Sequence, residues 1–325
     1  MGTHRSRDVK NIRASRQILM EKIRLSICIV NYEAKKYLRE CLLSLFENTN
    51  VSFEVIVVDN GSQDSTLEML KEEFPEVRTI ENEINLGYTR PMNQALYAAN
   101  GHYLIQLNPD TLILSDALDI LVEFMDSRPE VGICGPKVLN KDGSLQGPCR
   151  RGESTPWAVI SYFIGLGKLF PKSKLFGGYL MSYMDEDKVH PVAGVSGSCM
   201  LTRREVIDQI GYLDERYFAY QEDADFCFRA RQAGWYVFYF PNAEIIHFGG
   251  SGGSHVQPRR SIIEWHRSYF RYYQKNLAEN YFPLLNWIYY SLMAVKLTLS
   301  LLINAIRTIL TDNSPRLKDS IKGSD

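Results

Sequence analysis

Glu222, Asp223 and Asp225 put three acids into four residues. Carboxylates so crowded repel one another unless a site requires them. One positioned carboxylate can take a proton from a hydroxyl, and the plainer alternative is a cluster favoured by the positive end of a helix. Phe226, Arg229 and Ala230 give the following residues a helical face. A second set of polar groups stands at the ends of apolar runs: Asn31 after LSICIV, Asp59 after FEVIVV, and Asn108-Pro109-Asp110 after YLIQL. Their convergence marks an edge at which a ligand would be held.

The elements that must carry these groups follow from hydrophobic periodicity. Leu25 to Val30 predicts a strand, and Tyr37, Leu38, Cys41, Leu42 and Leu45 predict the helix after it. Phe53 to Val58 and Thr66 to Phe74 repeat that order around the turn Asp59-Asn60-Gly61-Ser62. Two successive strand-helix units imply a parallel sheet. A strand at Val77 to Glu81, a helix from Arg90 to Ala99 and a strand from Tyr103 to Leu107 complete a nucleotide-binding half, whose ligand belongs at the strand C-termini. Beyond a helix over Asp116 to Met125 the pattern becomes mixed, with strands expected near Gly132 to Val138 and Val192 to Leu201.

No G-x-G-x-x-G follows the first strand, where Asn31-Tyr32-Glu33-Ala34 stands instead, and this disfavours a dehydrogenase. The absence of a Gly-rich, Lys/Arg-bearing phosphate loop after Val30 likewise disfavours a sugar-phosphate nucleotidyltransferase. What the chain has, in order, is IVNYEAKKYLRECLLSL, VIVVDNGSQDST, NLGYTRPMNQAL, LIQLNPDT, the long run VSGSCMLTRREVIDQIGYLDERYFAYQEDADFCFRARQAGW, and EIIHFGG. From about Ile23 to Gly250 this resembles family 2 of the inverting glycosyltransferases, with rhamnosyltransferase-like bacterial members the nearest in look. The resemblance implies the α/β GT-A fold, a Rossmann-like, mostly parallel sheet flanked by helices, here with a C-terminal helical extension. It also implies a nucleotide diphosphate-sugar donor and a divalent cation, Mg²⁺ or Mn²⁺, bridging its phosphates.

Residue by residue, the resemblance sets Asp59 to accept hydrogen bonds from base or ribose, with Asn31 and Tyr32 against the ring; an Asx turn is the alternative for Asp59. Asp64 is either a second acid of that motif or a helix cap. Asn85, Gly87 and Asn93 match an element beside the nucleotide, Pro91 stands where glycine is common, and Arg90 is placed to pair with phosphate. Asn108-Pro109-Asp110 occupies the D-x-D position, with Asp110 the metal ligand and Asn108 replacing the first acid. His247 matches a histidine that completes the metal shell, or is structural. Gly197 and Ser198 fit an element beneath the donor sugar. Asp223 takes the place of the base, Glu222 orients acceptor or sugar, and Asp225 caps the helix or pairs with Arg229.

The chain has 325 residues, 45% of them apolar, and a formal charge of −1, which allows a sizeable core and gives no sign of nucleic-acid binding. Residues 1–24 are basic without an apolar core, so they are not a secretory signal. Residues 25–255 form the expected catalytic domain, and 256–325 a helical, membrane-associated extension. Six cysteines without C-x-x-C spacing read as reduced core residues of a cytoplasmic protein. Leu284 to Ile303 is near bilayer length, but Asn286 and Lys296 interrupt it. It either lies on the inner membrane surface, with Trp287, Tyr289 and Tyr290 at headgroup level, or forms a buried terminal helix or oligomer face. Arg150-Arg151, Arg203-Arg204 and Arg259-Arg260 read mainly as surface cations, one of which could meet an anionic acceptor. The aromatic stretch from Glu153 to Tyr183 is either a mobile acceptor-side lid or a packed insertion.

The expected function is therefore transfer of a sugar, with rhamnose the favoured one, to a hydroxyl of a glycan or polyprenyl-diphosphate-linked acceptor in surface polysaccharide synthesis, on the cytoplasmic face of the membrane. The competing expectation is a catalytically silent, sugar-nucleotide-binding scaffold.

Overall fold

The computed structural model describes residues 23–250 and 256–312. All of the basic N-terminal segment except Ile23 and Arg24 lies outside them. β1 (Leu25–Asn31) and β2 (Phe53–Asp59) are buried, β-branched strands joined by α1 (Lys35–Glu47), which buries Leu38, Cys41, Leu42 and Leu45. α2 (Thr66–Glu73), β3 (Arg78–Glu81), α3 (Thr89–Ala98) and β4 (Tyr103–Leu107) follow. β1 pairs in parallel with β2 and β4, and β2 with β3, so the nucleotide-binding half has the expected form. Asp64 is a cap, but for a neighbour: its Oδ2 accepts the Lys35 amide at 2.8 Å, serving α1, whose own flanking residue is Ala34.

The chain continues through β5 (Thr111–Ile113), α4 (Ala117–Ser127), β6 (Val131–Leu139), β7 (Arg150–Arg151), α5 (Pro156–Phe163) and α6 (Leu166–Leu169). After β8 (His190–Pro191), β9 (Gly194–Val195) and β10 (Cys199–Arg203) come α7 (Arg204–Ile210), α8 (Glu222–Gln232), β11 (Tyr236–His247), α9 (Pro258–Asn276) and α10 (Pro283–Asp312). Among the described residues the main sheet runs β3-β2-β1-β4-β10-β6-β11-β5, with β8 on β11. β10, β5 and β8 run against the other six strands, giving a mixed, mostly parallel sheet. The single strand expected over Val192 to Leu201 is divided: β9 pairs with β7 in a separate two-stranded sheet and β10 joins the main sheet, while between them Ser198 O takes the Asn108 amide and the Gly197 amide donates to Asp223.

A second, aromatic core joins α5, α9 and α10 through Tyr179, Tyr217, Tyr269, Tyr272, Tyr273 and Tyr289. The Glu153 to Tyr183 stretch is therefore a packed insertion: Thr155 caps α5 by accepting the Ala158 amide, and the Tyr179 hydroxyl hydrogen-bonds that of Tyr269. All six cysteines are buried and free, and burial pushes the Cys227 thiol up to about 11, as suits inert core residues. Two of the arginine pairs are not surface cations. Arg203 donates to Val131, Met125 and Arg128 carbonyls, Arg204 to those of Gly101 and Ala99, and Arg150 to Asp185 and Met184, so their charges tie loops together.

Candidate active site

The parallel strands aim their C-terminal ends at a cleft of about 480 Å³. β1 and β2 are in register there, Asn31 opposite Asp59, and Asn31 Nδ2 donates to Asp59 Oδ1 at 3.1 Å. Asp59 Oδ2 accepts the Ser62 amide three residues on and so closes the turn that follows β2. Both side chains are buried below the cleft lining, which Tyr32 and Asn60 provide instead. Asn60 organises the next loop: it donates to Gly87 O at 2.7 Å and to Asn85 Oδ1, and accepts the Leu86 amide. Gly87 adopts φ +92, and a Cβ there would lie 2.4 Å from Phe218 O, so only glycine lets the two loops close.

Asn85, Gly87, Asn108, Asp110, Gly197 and Ser198 all line the cleft, but two expected members of the nucleotide element do not. Asn93 is buried and exchanges hydrogen bonds with the backbone of Leu213, pinning α3 to that loop. Arg90 is exposed and lies 3.6 Å from Glu215. Helical phase explains both, since these positions face away from the strand ends.

One wall carries Asp110 and Asn108, with His247 against them. His247 Nε2 is 3.2 Å from Asp110 Oδ1 and 3.1 Å from Asn108 Nδ2. On the other side of the ring Nδ1 meets Gln146 Oε1 at 2.7 Å. A carboxamide oxygen accepts only, so Nδ1 carries a proton, and the lone pair of Nε2 can accept from Asn108 Nδ2. Nothing in the sequence marked Gln146. Among the described residues no three His, Cys, Asp or Glu side chains converge as a metal cage. Asp110 and His247 would leave a hard cation most of its coordination for phosphate oxygens and water, as suits Mg²⁺ or Mn²⁺.

The facing wall is the start of α8. Tyr220 and Gln221, both with φ above +60, bend the chain into it, and such strain in non-glycine residues concentrates at functional sites. Asp223 Oδ2 accepts from Arg151 Nη2 at 2.6 Å and from the Gly197 amide at 2.9 Å, while Oδ1 accepts the Ala224 amide. Arg151, expected at the surface, is thus a buried counter-charge in the cleft. Asp225 lies deeper, paired with Arg229 as expected and also with Lys275 of α9. Glu222 lines the cleft with Oε2 unpartnered, and burial, then the charge of Asp223, pushes its carboxyl up to about 8. α9, expected in a separate extension, completes the cleft with Arg260, Trp265 and Tyr269, and Gln257 just before it adds to the lining.

The raised Glu222 has a consequence for stability. The fold favours its neutral form, so this contribution is fully present below about pH 4.5 and is lost as pH rises through about 8. Glu222→Gln is expected to gain stability over wild type across that window, by up to about 5 kcal/mol. Thermal melts at pH 5 and pH 8.5 check this: an equal melting difference at both pH values would refute it.

The sequence profile of Glycosyl transferase family 2 matches residues 26–211. The N-acetylglucosaminyl-diphospho-decaprenol L-rhamnosyltransferase of Mycobacterium tuberculosis is 30% identical over 234 residues, 69% of this chain and 75% of the relative. The low-salt glycan biosynthesis hexosyltransferase Agl10 of Haloferax volcanii is 30% identical over 64% of this chain and 62% of its own. Residues 1–349 of S. aureus TarS, solved in complex with UDP, superpose with a TM-score of 0.51 at 19% identity, covering 78% of this chain and 66% of that one, which shows the shared GT-A fold. The chain belongs to glycosyl transferase family 2 and is an inverting glycosyltransferase of cell-surface glycan biosynthesis.

Proposed function

We propose that this enzyme transfers rhamnose from a nucleotide diphosphate-sugar to a hydroxyl of a lipid-linked glycan, with the support of Mg²⁺ or Mn²⁺. The observation that carries this reading is the cleft lined by Asp110, which His247 contacts from behind, and by Glu222 and Asp223. The acceptor and the sugar are suggested by the rhamnosyltransferase relative, whose name includes a decaprenol diphosphate.

Tyr32 and Asn85 line the nucleotide end, while Gly197 and Ser198 let donor approach the backbone. Asp110 and His247 would hold the cation, which when bound neutralises the departing diphosphate. The ion pair with Arg151 and the Gly197 amide hold the Asp223 side chain in place at the cleft, where it can receive a proton. The acceptor oxygen gives its proton to Asp223 and forms a bond to the anomeric carbon; the bond to diphosphate breaks on the opposite face, its electron pair leaving with the phosphate oxygen. Glu222, neutral near pH 7, can donate a hydrogen bond that orients acceptor or sugar.

We place the enzyme at the cytoplasmic face of the membrane, with α10 lying along the surface. That helix is long and apolar enough to span, and 6% of its apolar window is buried. Its first half, however, packs on α9 through Tyr289, Met293 and the Asn286–Tyr273 hydrogen bond. Residues 297–312 reach only about 24 Å, short of the roughly 30 Å core.

A panel of nucleotide sugars, assayed for nucleotide release with Mn²⁺ and with chelator, tests the donor and the cation. Metal-dependent release is expected with the rhamnose donor above the others. Equal, negligible release from every donor would favour a silent scaffold.

A further inference from the structure

Two segments of the chain contain no Asp or Glu and expose large apolar side chains: residues 154–184, and α10 from Pro283 to Ile309. They meet at Lys296. Its ammonium lies 4.3 Å from the Phe163 ring, 4.1 Å from the Trp265 ring and 3.2 Å from His266 Nε2. The only charge between Leu284 and Ile306 is therefore turned into the protein, held over two aromatic faces. The outward side of α10 is left apolar, with Leu292, Val295, Leu299 and Leu302 each about half exposed.

The insertion adds what α10 lacks. Just past Phe163, Ile164, Leu169, Phe170 and Leu175 are exposed, and Lys168, Lys172 and Lys174, also exposed, are interleaved with them. Apolar side chains alternating with lysines, and no acid among them, suit a bilayer interface, where the hydrocarbon enters the acyl boundary and the ammonium groups meet lipid phosphate.

We propose that the insertion and α10 form a two-footed docking surface for an anionic bilayer, with the lysines of the insertion supplying the charge selectivity. The inference rests on the lipid-linked acceptor reading and adds to it an orientation. Tyr162, Phe163 and Trp265 line the cleft on their inner side, so the docked membrane faces its aromatic end. An acceptor carried on lipid then enters beside Trp265 and reaches Asp223 without leaving the interface.

Co-sedimentation of the full chain with vesicles tests this, using phosphatidylcholine alone and phosphatidylcholine mixed with phosphatidylglycerol. Wild type is expected to bind the anionic vesicles at least tenfold more tightly. A lysine near such a surface contributes about fivefold, so Lys168→Gln/Lys172→Gln/Lys174→Gln is expected to lose most of that preference while keeping its binding to neutral vesicles. Leu169→Ser/Phe170→Ser is expected to weaken binding to both. All five side chains are exposed, so melting temperature and vesicle-free nucleotide release should match wild type. If the triple variant keeps the wild-type anionic preference, the insertion is not a foot, and α10 docking stands alone. If wild type binds neither vesicle, both membrane readings fall, while nucleotide release tests the catalytic reading separately.

Discussion

Asp223→Asn is expected to slow sugar transfer by roughly 10²–10⁴-fold while nucleotide diphosphate affinity stays within a few-fold. The substitution keeps the size of the side chain but removes its capacity to hold the acceptor proton, so the loss falls on kcat rather than on binding. The surroundings add a second effect. Asp223 is the counter-charge of Arg151, whose side chain is 9% exposed, and Asn leaves that guanidinium without a charge partner. Breaking a buried pair from one side costs about 3–5 kcal/mol, so the melting temperature should fall as well. Turnover is therefore measured well below the melting point and per folded enzyme. Near wild-type transfer by Asp223→Asn, with loss in Glu222→Gln, would move the base to Glu222.

Asp110→Ala is expected to remove the metal-supported part of donor binding. His247 and Asn108 remain, but neither carries a negative charge to hold a hard cation. Calorimetry with a nucleotide diphosphate in Mn²⁺ should show affinity falling by roughly two orders of magnitude, to the value wild type shows with chelator. Unchanged affinity in Mn²⁺ would refute the assignment. Asn108→Asp is the converse test. It restores the second acid beside His247, 3.1 Å from the present amide, and is expected to lower the Mn²⁺ concentration needed for half-maximal activity.

Much of this was legible in the sequence because it depends on local order. β-branched runs at Leu25 to Val30 and Phe53 to Val58, each followed by residues at helical spacing, fix a parallel sheet, and a parallel sheet gathers its strand ends on one edge. Asn31, Asp59, Asn108 and Asp110 follow those strands directly, so their convergence needs no long-range information. Asp225 with Arg229 is a contact four residues apart on one helix, and it too follows from spacing.

Tertiary structure decided what depends on distant partners. Gln146 sets the His247 tautomer from 101 residues away, Arg151 pairs with Asp223 across 72, and Asn60 shapes the loop of Gly87; no periodicity links such pairs. Arg203-Arg204 looked like surface charge because sequence cannot show the carbonyls that loops bring to a guanidinium. Asn93 looked like a ligand residue until the phase of α3 turned it toward Leu213. Lys296 reads in sequence as a break in an apolar helix, and only the packing of Phe163 and Trp265 around its ammonium leaves the outer face of that helix uncharged from Leu284 to Ile306. Backbone periodicity is local and so sets which residues lie at the strand ends; their partners and the exposed faces come from packing between segments far apart in the chain, which only the folded arrangement specifies.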